Sequence, residues 1–525
     1  MTTLAAFLQR LAAEHREATA LVDRDHPVSY AALADEAARV ASGLASLGVG
    51  AGDRVALWLP NLPAWLAAFF ACGRLGAIAV SVNTRFRSHE VADIVGRAGC
   101  KAIVCWPGFR NIDFAGILAG CDPAALRALT HIVAYGEEGA TLPDRIHDRP
   151  VVGYRALVAA APMAADAGGR PESGCVIFTT SGTTKAPKFV LHDQRTVVRH
   201  AADVARGFGY EEPDTVVMIT APLCGVFGFT NAMGALAAAR PLVMLPTFDA
   251  AESAQAVRRH RVTHTHASDE MIGRMLDAVP DSPAFPSVRF FGYAAFVPGD
   301  DLPQRAEARG LRLVGLYGMS ECHALMARQS ESAPLPVRAL AGGKPVAAEA
   351  RVRARDPETD AIRPHGVAGE LEIRAPSCMV GYYGDEAATR AAFTDDGFLR
   401  TGDLGYSTDD GGFVFLARLG DALRLSGFLV SPAEIEDVLQ AHAAVAGAQV
   451  VGVTTPGGTK AFAFVIPAAG AAFDERALIA HCAARLAKFK VPVRVRPIDA
   501  FPVTPGANAT KIQKAKLREL AQRSL

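Results

Sequence analysis

Residues 175–188 read Cys175-Val176-Ile177-Phe178-Thr179-Thr180-Ser181-Gly182-Thr183-Thr184-Lys185-Ala186-Pro187-Lys188. The first part is short, apolar and rich in β-branched and aromatic residues, which predicts a buried strand. The second part offers a run of hydroxyls, a flexible glycine, backbone N–H groups and two ammonium groups. Those are the parts needed to hold a polyphosphate. A strand feeding directly into such a loop matches α/β folds that bind ligands at the carboxyl ends of their strands. Ser, Thr and Gly also cluster in ordinary surface turns, so the loop has a second, bland reading. It is not a Walker loop, because no GxxxxGK[ST] occurs in the chain.

Outward from this stretch, the same texture repeats. Residues 54–59, 102–105, 215–220, 241–245, 288–291 and 312–316 read as further strands, and helical patterns lie between many of them, as at 34–47 and 252–260. Such alternation predicts an α/β fold with mostly parallel sheets covered by helices. After about residue 345 the strands become shorter and the links turn-rich, as at 370–374 and 413–416, which predicts a small antiparallel or barrel-like β unit. A last α+β unit begins near residue 420, with helices at 433–441 and 475–487 and strands at 448–453 and 461–466. The organisation is therefore a large domain, 1–419, and a small one, 420–525. The Ala-rich stretch 155–168 reads as a surface connection.

Composition narrows the function classes. A chain of 525 residues is too long for one ordinary core. Fifty-four basic side chains balance fifty-four acidic ones, which argues against a protein built around nucleic acid. The start, MTTLAAFLQRLAAEHREA, lacks the basic n-region and unbroken apolar run of a secretory signal. No stretch approaches the ~20 apolar residues of a membrane span. Nine scattered cysteines with no CxxC pair suit a reducing cytoplasm rather than a disulfide framework or structural zinc. A homodimer stays open.

Four further motifs carry chemistry. Tyr317-Gly318-Met319-Ser320-Glu321 follows the apolar run 312–316, and a carboxylate at a strand end can hold Mg²⁺ beside phosphate. Thr401-Gly402-Asp403-Leu404-Gly405 places an Asp in a Gly-flanked turn, able to take both hydroxyls of a ribose. Arg418 precedes Asp421, Ser426, Gly427, Pro432, Glu434 and Glu436, and Lys511 sits in NATKIQKAKLR. Each has an ordinary alternative: an exposed Glu, a common Asp turn, a turn glycine, a solvated lysine face.

Order and spacing together are more specific. TSGTTxxPK, YGxSE, RTGDLG, ARxxD…SGxxVxPxEIE and a carboxy-terminal lysine resemble the adenylate-forming, AMP-binding enzymes. These include acyl- and aryl-CoA synthetases, firefly luciferase and peptide-synthetase adenylation domains. The resemblance runs from about residue 28 to Lys511. It implies ATP- and Mg²⁺-dependent conversion of a carboxylate to an acyl-adenylate with pyrophosphate release, then transfer to coenzyme A. By this resemblance Thr180, Ser181, Gly182, Thr183, Thr184 and Lys188 would grip the β- and γ-phosphates. Glu321 with Thr180 would hold Mg²⁺. Tyr317 would lie against adenine, with Tyr293, Ala294 and Ala295 as the other wall. Asp403 and Arg418 would bind the ribose. Lys511 would reach the carboxylate and α-phosphate, and ranks above Lys514. Gly420 would be the hinge about which the small domain rotates, and Gly427 would line the thiol tunnel.

The chain also departs from the family pattern. Lys185 and Phe189 stand where glycines are usual, which stiffens the loop. Cys224-Gly225 replaces the usual aromatic–histidine pair after Pro222-Leu223, implying a wider or reshaped acyl pocket. That pocket is expected from Gly225, Val226, Phe229, Phe296, Gly318 and Met319, mostly apolar, so an aliphatic or aromatic carboxylate is expected. His264-Thr265-His266-Ala267-Ser268-Asp269-Glu270 is unusual. We read Ser268 as a helix N-cap with Asp269 and Glu270 in the first turn, and the histidines as core or pocket lining. Rival readings are an enzyme that loads a separate carrier protein, a serine hydrolase using Ser320, and an inactive scaffold. The hydrolase elbow needs glycine where Cys322 stands.

Overall fold

The computed structural model describes residues 2–110, 112–136, 144–163, 168–180, 187–294, 301–425, 428–455, 458–486, 488–505 and 510–525. Two large sheets dominate. One has nine strands, in the order Gly381–Tyr382, Phe189–Asp193, Gly174–Thr179, Ile78–Ser81, Arg54–Trp58, Ala102–Cys105, His131–Ala134, Arg149–Gly153 and Arg145–Ile146. Its centre is parallel. Both faces of those strands are buried, which explains why they read as apolar runs rather than alternating ones. Helix Pro63–Leu75 covers it, with all but its first residue buried, and helix Tyr30–Ser46 packs on that helix.

The other sheet has thirteen strands. Its parallel part includes Val217–Ile219, Leu242–Met244, His264–Ser268, Phe290–Ala294 and Leu313–Met319. From Leu313–Met319 the pairing turns antiparallel, through His323–Arg328, Gly342–Pro345, Phe413–Arg418, Leu399–Ser407 and Gly369–Arg374. The antiparallel unit expected after residue 345 thus begins earlier, at His323–Arg328, and continues the large sheet. The small carboxy-terminal unit packs Pro432–Gln440 and Glu475–Ala483 on the three strands Val445–Thr455, Gly458–Pro467 and Arg494–Pro497, around Ile435, Leu439, Val450, Leu478 and Val495.

Three local expectations need correction. Residues 155–168 are not simply a surface connection: helix Tyr154–Val158 buries Leu157. A Cβ at Gly43 would lie 2.6 Å from Leu157, so that glycine is what lets the two helices meet. Asp403 sits within strand Leu399–Ser407 rather than in a turn. Positive φ at Gly402 and a register shift at Leu404/Gly405 supply the Gly-rich look, because they belong to a bulged strand. The helix expected at 475–487 stops at Ala483.

Candidate active site

The phosphate-loop candidate is closed at its neck. Thr180 N donates to the Lys188 carbonyl (3.0 Å) and Lys188 N to Thr180 Oγ1 (3.2 Å). Ser181, Gly182, Thr183, Thr184 and Lys185 lie outside the described residues. Strand Gly174–Thr179 leads in and strand Phe189–Asp193 leads out, paired antiparallel. Phe189, where glycine is usual, carries the Arg97 guanidinium 4.3 Å from its ring centroid, and Arg97 also donates to the Pro187 carbonyl (2.9 Å). The aromatic therefore anchors the outgoing end of the loop.

Glu321 lies in a short 3₁₀ turn, Ser320–Cys322, just past strand Leu313–Met319. It is held from outside its own segment. Tyr382 Oη donates to Glu321 Oε1 (2.9 Å), and Met379 N donates to the Glu321 carbonyl (2.7 Å). The Lys188 ammonium stands 4.4 Å from the Tyr382 ring centroid, so one tyrosine touches both the loop lysine and the carboxylate. Tyr382 comes from the edge strand Gly381–Tyr382, paired with Phe189–Asp193.

A second cluster joins Tyr317, Asp403 and Arg418. Tyr317 Oη donates to Asp403 Oδ2 (2.6 Å), and Arg418 Nη1 lies 2.7 Å from Asp403 Oδ1. Asp403 and Arg418 are cross-strand partners, so the sheet register itself brings them together. Thr401 Oγ1 accepts from Asp403 N (3.0 Å) and donates to the Leu371 carbonyl (2.6 Å), fixing the backbone beneath the carboxylate. Burial pushes the Asp403 carboxyl up, opposed by Arg418 and the Tyr317 hydroxyl. The Tyr317 ring meets Phe413 edge-on at 5.0 Å.

The other candidates are more dispersed. Tyr293 is buried in a second apolar core and Ala294 ends its strand, while Ala295 and Phe296 lie outside the described residues. Gly225 is the residue before helix Val226–Ala237, whose Val226 is half-buried. Phe229 packs among Trp65, Phe69 and Phe178 at ring distances of 5.0–6.0 Å. At Gly318 a Cβ would come within 2.5 Å of the Ala324 backbone, so that glycine permits the tight strand reversal beside Glu321. Met319 Sδ lies 3.8 Å from Tyr317 Oη. Ser268 caps helix Asp269–Asp277, accepting from Met271 N (3.3 Å). His266 pairs with Tyr210 Oη, whose hydroxyl donates to Asn231 (2.8 Å), placing it in a buried network. Among the described residues no group of three His, Cys, Asp or Glu is placed to hold a metal.

In the small unit, Thr504 and Lys511 face each other across a two-stranded ladder; the Lys511 side chain lies outside the described residues, as does Gly427. Lys514 is committed elsewhere. Its ammonium contacts the buried Glu436 carboxylate (2.6 Å) and the Val450 carbonyl (3.3 Å). Gly420 has open space around its α-carbon, and its carbonyl accepts from Arg518 (3.2 Å).

Sequence reading missed four residues around this centre. Tyr382 was signalled only by a polar aromatic between the glycines of Gly381-Tyr382-Tyr383-Gly384. His192, His200 and His323 are far apart in the chain and form one stack: His192 and His323 ring centroids are 3.8 Å apart, His200 and His323 5.1 Å, with interplanar angles of 28° and 16°. His192 Nε2 bonds the Ser320 carbonyl (2.7 Å) and His200 Nε2 the Ala324 carbonyl (2.8 Å), so the outer rings grip the backbone on either side of Glu321 and His323. Burial pushes both outer imidazoles down to about 4. No local pattern announces such a cluster.

A wide parallel sheet that continues into antiparallel strands, with the joined neck at Thr180 and Lys188 and the Tyr–Asp–Arg cluster near Glu321, gives the chain a mixed α/β architecture. The chain belongs to the AMP-binding enzyme family: that family's model matches residues 8–383, and the model of the AMP-binding enzyme C-terminal domain matches residues 434–507. The chain is 34% identical to the 3-[(3aS,4S,7aS)-7a-methyl-1,5-dioxo-octahydro-1H-inden-4-yl]propanoyl:CoA ligase of Mycobacterium tuberculosis, over 99% of each chain. It is 30% identical to the sulfoacetate–CoA ligase of Cupriavidus necator, over 98% of this chain and 97% of that one. Among solved structures it is similar to ATP-bound MatB from Rhodopseudomonas palustris, with a TM-score of 0.84, 26% identity and 99% of each chain covered.

Proposed function

We propose that the protein is an AMP-forming acid–thiol ligase that activates an aliphatic or aromatic carboxylic acid with ATP and passes the acyl group to coenzyme A. In the first half, a carboxylate oxygen bonds to the α-phosphorus and the bond to pyrophosphate breaks. In the second, the thiol sulfur bonds to the acyl carbon, AMP leaves with the electron pair of the broken C–O bond, and the thiol proton passes to solvent. The observation that carries this reading is the convergence of three binding elements: the loop neck at Thr180 and Lys188, the Tyr382-held Glu321, and the Tyr317–Asp403–Arg418 cluster. CoA-ligase relatives matched over nearly the full chain support the same reading.

Each side chain has a role under this proposal. Thr180, Lys188 and the intervening hydroxyls bind the β- and γ-phosphates. Asp403, with Arg418 against it, takes the ribose hydroxyls, and Tyr317 with Tyr293 and Ala294 bounds the adenine. Glu321 and Thr180 offer Mg²⁺ the hard oxygen donors it prefers, and the Tyr382 hydrogen bond fixes the carboxylate's orientation. Mg²⁺, when bound, neutralises phosphate charge as a Lewis acid. Lys511 would reach both the carboxylate and the α-phosphate and stabilise charge as these two anions meet. Lys514, tied to Glu436, is already occupied. The boundary between units falls at 419/420, with Gly420 as hinge.

The test is pyrophosphate release from ATP and Mg²⁺ across a panel of carboxylates, each with and without CoA. Acid-dependent release with a CoA-dependent thioester is the expected result. No release with any acid, from protein that binds ATP, overturns the reading.

A further inference from the structure

The central imidazole of the histidine stack has no use in the mechanism above. His323 is 1% exposed, yet neither ring nitrogen has a hydrogen-bond partner among the described residues. Buried polar atoms are rarely left so, and each such case asks for a ligand, a water or a function. Its backbone is unusual as well. With φ 62° and ψ 155°, His323 occupies a region that side-chain-bearing residues seldom adopt. Two separate costs thus meet at one residue, two positions after Glu321.

The neighbours fix what the stack offers. A carbonyl oxygen only accepts, so His192 Nε2 and His200 Nε2 must carry protons to bond Ser320 and Ala324. In the neutral rings the Nδ1 atoms are then bare lone pairs, and both are buried without partners among the described residues. His323, neutral, adds one donor and one acceptor. Four unmatched nitrogens therefore present three acceptors and one donor. The His323 ring is also near-parallel to that of Phe229, with centroids 6.4 Å apart and 16° between the planes, and Phe229 belongs to the proposed acyl pocket.

We propose that this stack forms the inner end of the acyl site and reads a hydroxyl-bearing acyl group. A hydroxyl supplies the donor that bare lone pairs require and can accept from the remaining N–H. A pure hydrocarbon leaves all four nitrogens unmatched, a ketone oxygen can satisfy only one, and a second carboxylate would bring negative charge against lone pairs. The inference rests on the carboxylate-activating reading above and names the substrate class of that same site.

The experiment compares acids of equal size in matched sets of four: hydrocarbon, hydroxyl, keto and dicarboxylic. Aliphatic and aromatic frames are both used, with the polar group at graded distances from the carboxylate, and kcat/KM is measured by pyrophosphate release with CoA present. Wild-type enzyme should favour a hydroxy acid over its hydrocarbon counterpart by at least about 100-fold, since a site built to hydrogen-bond a hydroxyl rejects the analogue lacking it. His323→Phe, which keeps a flat ring in the stack and removes both nitrogens, should collapse that ratio to within about threefold. If the variant does not fold, the wild-type ratios decide alone. Turnover without hydroxyl preference, preference for the keto or dicarboxylic member, or a ratio that survives His323→Phe overturns this inference and leaves the ligase reading standing. No turnover of any acid overturns both.

Discussion

Replacing Tyr382 with Phe isolates a single interaction at the proposed metal site. The ring stays, so the Lys188 ammonium keeps its aromatic face, and the Met379 bond to the Glu321 backbone is untouched. What disappears is one hydroxyl donor, 2.9 Å from Glu321 Oε1. A hydrogen bond to a charged group contributes about 1.5–3 kcal/mol, which corresponds to about 10- to 150-fold in an equilibrium or rate constant. Without that donor the carboxylate gains rotamer freedom, so the loss should fall on metal binding and on the step that needs it. ATP–pyrophosphate exchange, measured against Mg²⁺ concentration, should show a higher half-saturating Mg²⁺ and a lower rate within that range. Transfer to CoA from supplied acyl-adenylate, which releases no pyrophosphate, should fall by no more than about twofold. Exchange matching wild type at every Mg²⁺ concentration, or equal losses in both half-reactions, would refute the assignment of Glu321 as metal ligand positioned by Tyr382.

Lys511→Ala should reduce adenylate formation by about 10²–10³ while sparing thiol transfer from supplied adenylate; equal losses would remove it from its role. Lys514→Met should instead destabilise the protein by about 3 kcal/mol, because it strands the buried Glu436 carboxylate, and urea denaturation followed in the carboxy-terminal unit reads this directly. His192 and His200 have folded values near 4 against 6.5 unfolded, so between those limits the unfolded chain binds more protons. Stability should therefore fall as pH drops through that window, by up to about 1.4 kcal/mol per pH unit for each histidine, and a flat denaturation midpoint from pH 7 to pH 5 would contradict it. Ser268→Ala should cost about 1 kcal/mol of stability and leave the order of substrate preference unchanged in the pyrophosphate assay.

Elements with local chemistry were legible in the sequence. Gly174–Thr179 announced itself by composition, Phe413–Arg418 by its short apolar run, and the cap at Ser268 by spacing. Asp403 was found but misplaced, since a strand bulged around Gly402 and Gly405 carries the same residues as a turn. The partners of the site were harder. Tyr382 meets Glu321 only because an edge strand pairs with Phe189–Asp193, and the histidines meet only when a helix, a strand and a reversal pack together. Pairings between distant segments leave no period or motif to read, whereas a capping residue or a buried strand does.

The edge strand Gly381–Tyr382 has a consequence for biosynthesis. It pairs with Val190 and Leu191, about 190 residues earlier in the chain. At roughly 5–20 residues per second, about 10–40 s separate the emergence of the two partners from a ribosome. During that interval Val190 and Leu191 belong to an unpaired sheet edge, and edges of this kind recruit wrong strands. Slow codons placed after residue 200 would lengthen that exposed period, and faster synthesis across the same stretch would shorten it.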